Sequence, residues 1–217
     1  MSRLLTIVAL SDTHGLHDRI TVPPGDILVH AGDLTRRGKL KELRDAARFL
    51  RALPHRHKIV IAGNHDFCFE RENERDIARE WMATAATYLE DSSVEVEGLR
   101  FYGSPWQPWF GGWAFNLDRG PQLREKWDLI PMQTDVLVTH GPPHGHLDRT
   151  WDGRIVGCEE LRIAVERVRP RLHVFGHIHE AYGEDNDAHT RYINPCVCTR
   201  AYQPTQAARV IELTVGD

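Results

Sequence analysis

Five short apolar, β-branched runs in this 217-residue chain are each followed at once by Asp, His or Asn. Leu4 to Leu10 runs into Asp12 and His14, Asp26 to His30 into Gly32 and Asp33, and Lys58 to Ala62 into Gly63, Asn64, His65 and Asp66. Asp135 to Thr139 runs into His140, and Leu172 to Phe175 into Gly176, His177, Ile178 and His179. Runs of this length and composition suit buried strands. Stretches of helical periodicity lie between them at Lys39–Leu53, Glu74–Leu89, Pro121–Ile130 and Cys158–Val168. Where strand and helix alternate around a parallel sheet, ligands bind in the crevice beyond the carboxyl ends of the strands. A lone Asp or His after a strand is usually a turn or cap residue. Five such ends in one chain point to a shared site.

An antiparallel part is expected as well. Ser93–Val96 and Leu99–Gly103 flank Glu97-Gly98 as a hairpin, and Arg191–Asn194 and Arg209–Val215 read as further strands. The fold class is therefore α/β, with one mixed sheet or two. No composition shift or linker interrupts the pattern, so one domain over 1–217 is expected.

Composition removes several other classes. With 41% hydrophobic and 27% charged residues the chain is an ordinary globular one, and no run approaches the roughly 18 apolar residues of a membrane helix. Leu4–Leu10 leads into Ser11-Asp12-Thr13-His14 rather than a small-residue cleavage site, so it reads as a strand and not a leader. A net charge of −4 gives no reason to expect strong nucleic-acid or anionic-membrane binding. Cys68, Cys158, Cys196 and Cys198 lack CxxC pairing and suit reduced thiols in a cytoplasm. Cys196 and Cys198 read as buried core residues rather than a soft-metal pair.

Asp12, His14, Asp33, Asn64, His140, His177 and His179 are more ligands than one tetrahedral ion takes, and divide into two sites if one carboxylate bridges. Mixed carboxylate, imidazole and amide donors suit Mn or Fe, with Zn, Co or Ni also compatible. A pair of such ions serves displacement at phosphorus, polarising the phosphoryl oxygens and activating a water. The i, i+2 spacing of Asp12 with His14 and of His177 with His179 turns each pair to one side if the backbone is extended. His65, the remaining histidine at a strand end, suits a general acid, a role imidazole commonly fills.

At these residues the sequence resembles the calcineurin-like metallophosphoesterases, whose pattern is D-x-H, GD, GNH[D/E], a lone H and GHxH. The elements read here as Asp12-Thr13-His14, Gly32-Asp33, Gly63-Asn64-His65-Asp66, His140 and Gly176-His177-Ile178-His179, all in order. The resemblance implies a four-layer α-β-β-α sandwich with two mixed β-sheets flanked by helices. It implies one metal held by Asp12, His14, Asp33 and His179, and another by Asp33, Asn64, His140 and His177. Asp33 then bridges, His65 is the catalytic histidine, and a metal-bridging hydroxide attacks phosphorus. Tyr102 to Trp109, Lys126 to Pro131 and Val138 to Pro143 are similar to the animal metallophosphoesterase-domain-containing group and its bacterial relatives. That similarity implies a small phosphodiesterase, including action on cyclic nucleotides. Protein phosphatases of the superfamily carry a second Asp where Arg36 stands here, so the resemblance leaves His65 without its orienting carboxylate.

The substrate side is read from less. Arg36, Arg37, His144 and Trp106 are candidate substrate contacts, and Trp106 to Phe115 forms an aromatic loop that either stacks on a base or packs. The loop from Gly141 to Gly157 begins at a metal ligand and is expected to overhang the site. The partners expected are small phosphodiesters or nucleotides. A nucleotide phosphomonoesterase, a nuclease, or a weakly catalytic scaffold or nucleotide-binding protein on the same fold stand as alternatives. Retention of His65 favours the enzyme over the scaffold.

Overall fold

In the computed structural model, which describes residues 2–216, the apolar runs form strands that separate into two sheets. The chain passes through β1 (Arg3–Leu10), β2 (Ile27–His30), α1 (Leu40–Ala52), β3 (His57–Val60), α2 (Arg75–Ala83) and β4 (Thr87–Tyr88). It continues through β5 (Ser92–Val96), β6 (Leu99–Ser104), the short pair β7 (Gln107–Pro108) and β8 (Asn116–Leu117), and α3 (Pro121–Asp128). There follow β9 (Val136–Thr139), α4 (Glu159–Val168), β10 (Leu172–Val174), β11 (Gly183–Asn186), β12 (Arg191–Asn194) and β13 (Arg209–Val215). One sheet runs β13-β1-β2-β3-β4 and the other β11-β12-β10-β9-β6-β5. The middle of each is parallel, with β13 antiparallel to β1, and β11 and β5 antiparallel to β12 and β6.

The alternation of side chains along the strands builds the layers. Leu5, Ile7 and Ala9 of β1, with Ile27, Val29 and Ile59, share one buried cluster with Phe101, Val136, Val138, Leu172 and Val174 of the other sheet. The intervening Val8 and Leu10, with Leu28 and Val60, pack with Leu43 and Leu50 of α1 and Met82 of α2. On the far side Tyr102, Leu137 and Tyr192 pack with Trp127 of α3 and Leu161 and Val165 of α4. Each fully buried aliphatic side chain contributes about 1.5–3 kcal/mol, so three such clusters fix the α-β-β-α order of layers that the resemblance implied.

The end of α2 and β11 are among the elements that differ from the sequence reading. The helical pattern over Glu74–Leu89 runs too far: α2 ends at Ala83, and Thr87–Tyr88 forms a parallel edge strand on β3. The apolar residues there fit either period, and the open edge of β3 decides, with Tyr88 stacked 4.5 Å from Phe69. β11, with the sequence Gly-Glu-Asp-Asn, is too polar to carry a strand signal and exists because it pairs with β12. The β5–β6 hairpin closes as expected, with Glu97 and Gly98 both left-handed at φ 54° and 81°.

Candidate metal centre

The loops leaving the parallel strands are laced together by main-chain hydrogen bonds. The N–H groups of Asp12 and His14 donate to the carbonyls of Gly32 and Asp33 at 3.0 and 2.9 Å, and Gly176 N–H donates to the His140 carbonyl at 2.8 Å. Asp12, His14, Asp33 and His177 have φ of 56°, 45°, 58° and 70°. Left-handed residues other than glycine cost on the order of 1–3 kcal/mol and cluster at functional sites. They replace the extended backbone expected at both pairs: Asp12 and His14 still face one cluster, whereas His177 and His179 part. His177 turns to Asn64 and His140, whereas His179 turns to Asp12 and His14. Gly176 is required by close approach, because a Cβ there would run into Ser11 Oγ and Asp12 Oδ2.

All seven candidate ligands come together, in two clusters. In the first, His179 Nε2 lies 3.2 Å from both Asp12 Oδ1 and His14 Nε2, and His14 Nε2 lies 3.7 Å from Asp33 Oδ2. In the second, His140 Nε2 and His177 Nδ1 each lie 2.8 Å from Asn64 Oδ1, and His140 Nε2 is 3.5 Å from Asp33 Oδ1. Asp33 thus presents one oxygen to each cluster. The far nitrogens fix the tautomers: His140 Nδ1–H donates to the Ala31 carbonyl at 2.9 Å and His179 Nδ1–H to the Thr199 carbonyl at 3.0 Å. Metal-ligating histidines characteristically donate their other N–H in this way. The inward Nε2 of His140 is then a lone-pair acceptor facing Asn64 Oδ1 and Asp33 Oδ1, an arrangement that repels unless a cation stands among them. The donor set therefore fits two ions, and Asp12, Asp33 and His140, or His14, Asp33 and His65, lie close enough to share one.

Electrostatics agree with that fit. Burial pushes the Asp33 carboxyl well above its usual range, and a bound cation is the charge that would keep it ionised. Burial also opposes ionisation of Asp12, but the hydrogen bond and charge of His179 outweigh it and hold Asp12 well below its usual value. His179 is correspondingly raised to about 9, because burial lowers it and Asp12 more than compensates, so its Nε2 carries a proton shared with Asp12 that a bound ion would displace. Burial holds His14 well below the ordinary imidazole value and brings His177 down to about 3, leaving both neutral as metal binding requires.

His65 obtains an orienting partner that no residue identity announced. Its Nδ1–H donates to the main-chain carbonyl of Arg36 at 2.7 Å, which aims Nε2 inward, 3.9 Å from Asp33 Oδ2. One face of the ring stacks on Trp113, with centroids 4.2 Å apart. Asp66 braces the floor: its carboxylate accepts from the N–H groups of Leu34, Thr35 and Gly63 and from the Thr35 hydroxyl at 2.7–3.1 Å. Cys196 donates its thiol to Asp12 Oδ2 at 2.9 Å, and Tyr202 lies edge-on to His14 at 4.8 Å. Neither residue lies in a recognisable motif, and only the return of the chain beside β1 brings them here.

A cavity of about 500 Å³ opens over Asp33, Asn64, His65, His177 and His179. Its rim carries Trp109, Phe110 and Trp113 from the aromatic loop, and Thr150, Trp151 and Arg154 from the loop after His140, which overhangs as expected. All four candidate substrate residues lie outside this cavity. Trp106 turns away from the cavity because its Nε1–H bonds Asp91 at 2.8 Å and Lys126 lies 4.2 Å over its ring. His144 is exposed outside the cavity, its N–H tied to the Cys158 carbonyl. Arg36 and Arg37 line a neighbouring cavity instead.

A sandwich of this topology whose strand-end ligands meet in two clusters is the architecture of a metallophosphoesterase. Residues 5–181 match the calcineurin-like phosphoesterases, and the chain belongs to that family. It is 47% identical to metallophosphoesterase domain-containing protein 1 of Homo sapiens over 95% of this chain and 70% of that protein. It is also 41% identical to UPF0046 protein C25E10.12 of Caenorhabditis elegans, over 91% of this chain and 78% of that one. The crystal structure of TT1561 of Thermus thermophilus shares the fold, with a TM-score of 0.59 at 14% identity over 89% of this chain and 90% of that one. The chain is a metal-dependent phosphoesterase. Among the described residues no helix is long and apolar enough to cross a membrane.

Proposed function

We propose that this phosphoesterase hydrolyses small phosphodiesters, cyclic nucleotides among them, at a dinuclear centre of manganese or iron. Asp12, His14, Asp33 and His179 hold one ion, and Asp33, Asn64, His140 and His177 hold the other. The observation that carries this reading is the convergence of carboxylate, imidazole and amide ligand atoms on two points with one Asp33 oxygen turned to each. Bound metals there supply Lewis acidity at phosphorus and a nucleophilic water at neutral pH. The chain supplies the rest. His65, held by the Arg36 carbonyl, protonates the departing alkoxide from Nε2. The aromatic rim offers faces on which an ester substituent stacks, and the half-open cavity suits a small ester better than a protein loop. Four unpaired, buried cysteines favour a reducing compartment such as the cytoplasm.

The test is metal-free protein reconstituted with Mn(II) and assayed side by side on bis(p-nitrophenyl) phosphate, p-nitrophenyl phosphate and the 3′,5′- and 2′,3′-cyclic nucleotides, with metal counted in the same sample. Two ions per chain and diester turnover well above monoester turnover support the reading. Faster monoester turnover replaces it with a phosphomonoesterase.

A further inference from the structure

A second cavity, of about 550 Å³, adjoins the metal-centre cavity and is divided from it by His65, Trp113 and Tyr202, which line both. Its other walls include Arg36, Arg37, Lys39 and Arg71, and no carboxylate. Four cations around one cavity are notable on a chain of net charge −4. Nearby acids leave three of them free. Glu42 accepts from the main-chain N–H groups of Arg37 and Lys39 at 2.9 and 3.3 Å, and Glu74 pairs with Arg71 at 3.0 Å. Among the described residues the side chains of Arg36, Arg37 and Lys39 make no ion pair. The loop that aims His65 through the Arg36 carbonyl is the loop that carries these cations. Whatever leaves past His65 is therefore delivered to them.

We infer that this cavity binds a phosphate carried by the leaving alcohol, so that the substrates best served are esters that release a phosphorylated alcohol. The inference rests on the proposed phosphodiesterase reading and on His65 marking the leaving side. Water forms the new P–O bond, the scissile P–O bond passes its electron pair to the alcohol oxygen, and that oxygen takes the proton from His65. The water's surplus proton returns to His65. Arginine pairs bidentately with phosphate, and clustered cations of this kind recognise an anionic group rather than a hydroxyl.

Isothermal titration of the manganese-loaded protein with adenosine 3′,5′-bisphosphate, adenosine 5′-monophosphate and adenosine 3′-monophosphate tests this. The bisphosphate is expected to bind at least about tenfold more tightly than either monophosphate. In an R36Q/R37Q/K39Q variant that ratio falls to near one, as it does in the wild type when salt is raised from about 50 to about 500 mM. A ratio near one in the low-salt wild type, or a ratio that survives in the variant, overturns the inference. If none of the three ligands binds while bis(p-nitrophenyl) phosphate is hydrolysed, the second subsite is wrong and the phosphodiesterase reading stands. If neither binding nor hydrolysis occurs, both fall.

Discussion

The floor of the site and its rim are built by opposite means. On the floor, Asp12, His14, Asp33 and His177 are locked in left-handed conformations, laced by main-chain bonds and buried or nearly so. On the rim, Trp109, Phe110 and Trp151 are 64%, 54% and 65% exposed, and Arg200 merely lies 4.3 Å over the Trp151 ring. Chemistry that needs atoms held to a few tenths of an ångström is assigned to backbone geometry. The exposed side chains of the rim are not held in this way and are freer to adapt.

The largest effect expected is from Asp33→Ala, which removes the carboxylate that turns one oxygen to each cluster. Metal content measured by mass spectrometry and diester turnover should fall together, the latter by on the order of a thousandfold. Retention of both ions would break the bridging assignment. His65→Ala should keep the metals and lose about 10²–10⁴-fold in turnover of an alkyl diester, with a smaller loss on a nitrophenyl ester whose leaving group needs little protonation. Equal losses on the two esters would remove the general-acid role.

Smaller effects separate floor from rim by stability alone. Asp66→Ala leaves buried N–H groups of Leu34, Thr35 and Gly63 without their acceptor and should cost about 2–4 kcal/mol in urea unfolding. Trp109→Ala should change stability by no more than about 0.5 kcal/mol. Between these falls a pH effect. Burial brings the pKa values of His30 and His173 down to about 3, so both stay neutral in the fold, while the unfolded chain protonates them near the ordinary imidazole value. The unfolded state then binds more protons, and stability, complete above that value, is lost as pH falls toward 3. Each histidine should contribute a slope of about 1.4 kcal/mol per pH unit between about pH 6 and 5. His173→Gln should reduce that slope by one histidine's share, whatever it does to stability at neutral pH.

The floor was legible in sequence because its chemistry is carried by residue types: Asp, Asn and His at the ends of apolar runs name themselves. Their conformations were not. Nothing in Asp12-Thr13-His14 marks its left-handed backbone, and nothing in His177-Ile178-His179 distinguishes an extended pair from one split between two clusters by a left-handed residue. The partner of His65 is a main-chain carbonyl, an atom every residue owns, so Arg36 gave no sign of it. Cys196 and Tyr202 reach the site only through the tertiary return of the chain beside β1. Trp106 misled because an aromatic residue in a loop reads alike whether it faces a substrate or, as here, an Asp91 carboxylate and the Lys126 ammonium.

The pairing of β1 with β13 has a consequence for how the protein is made. β1 carries Asp12 and His14 at its carboxyl end, and its ladder to β13 spans seven registered pairs, from Arg3 opposite Val215 to Ala9 opposite Arg209. During synthesis that edge stays open until residues 209–215 have emerged, presenting unpaired N–H and C=O groups that a second nascent chain can match. The contact that completes the sheet beneath the metal centre is thus among the most distant in sequence. A chain lacking β13 should hold its early helices and leave β1 without its antiparallel neighbour, so the floor that Asp12 and His14 help build should stay unfinished.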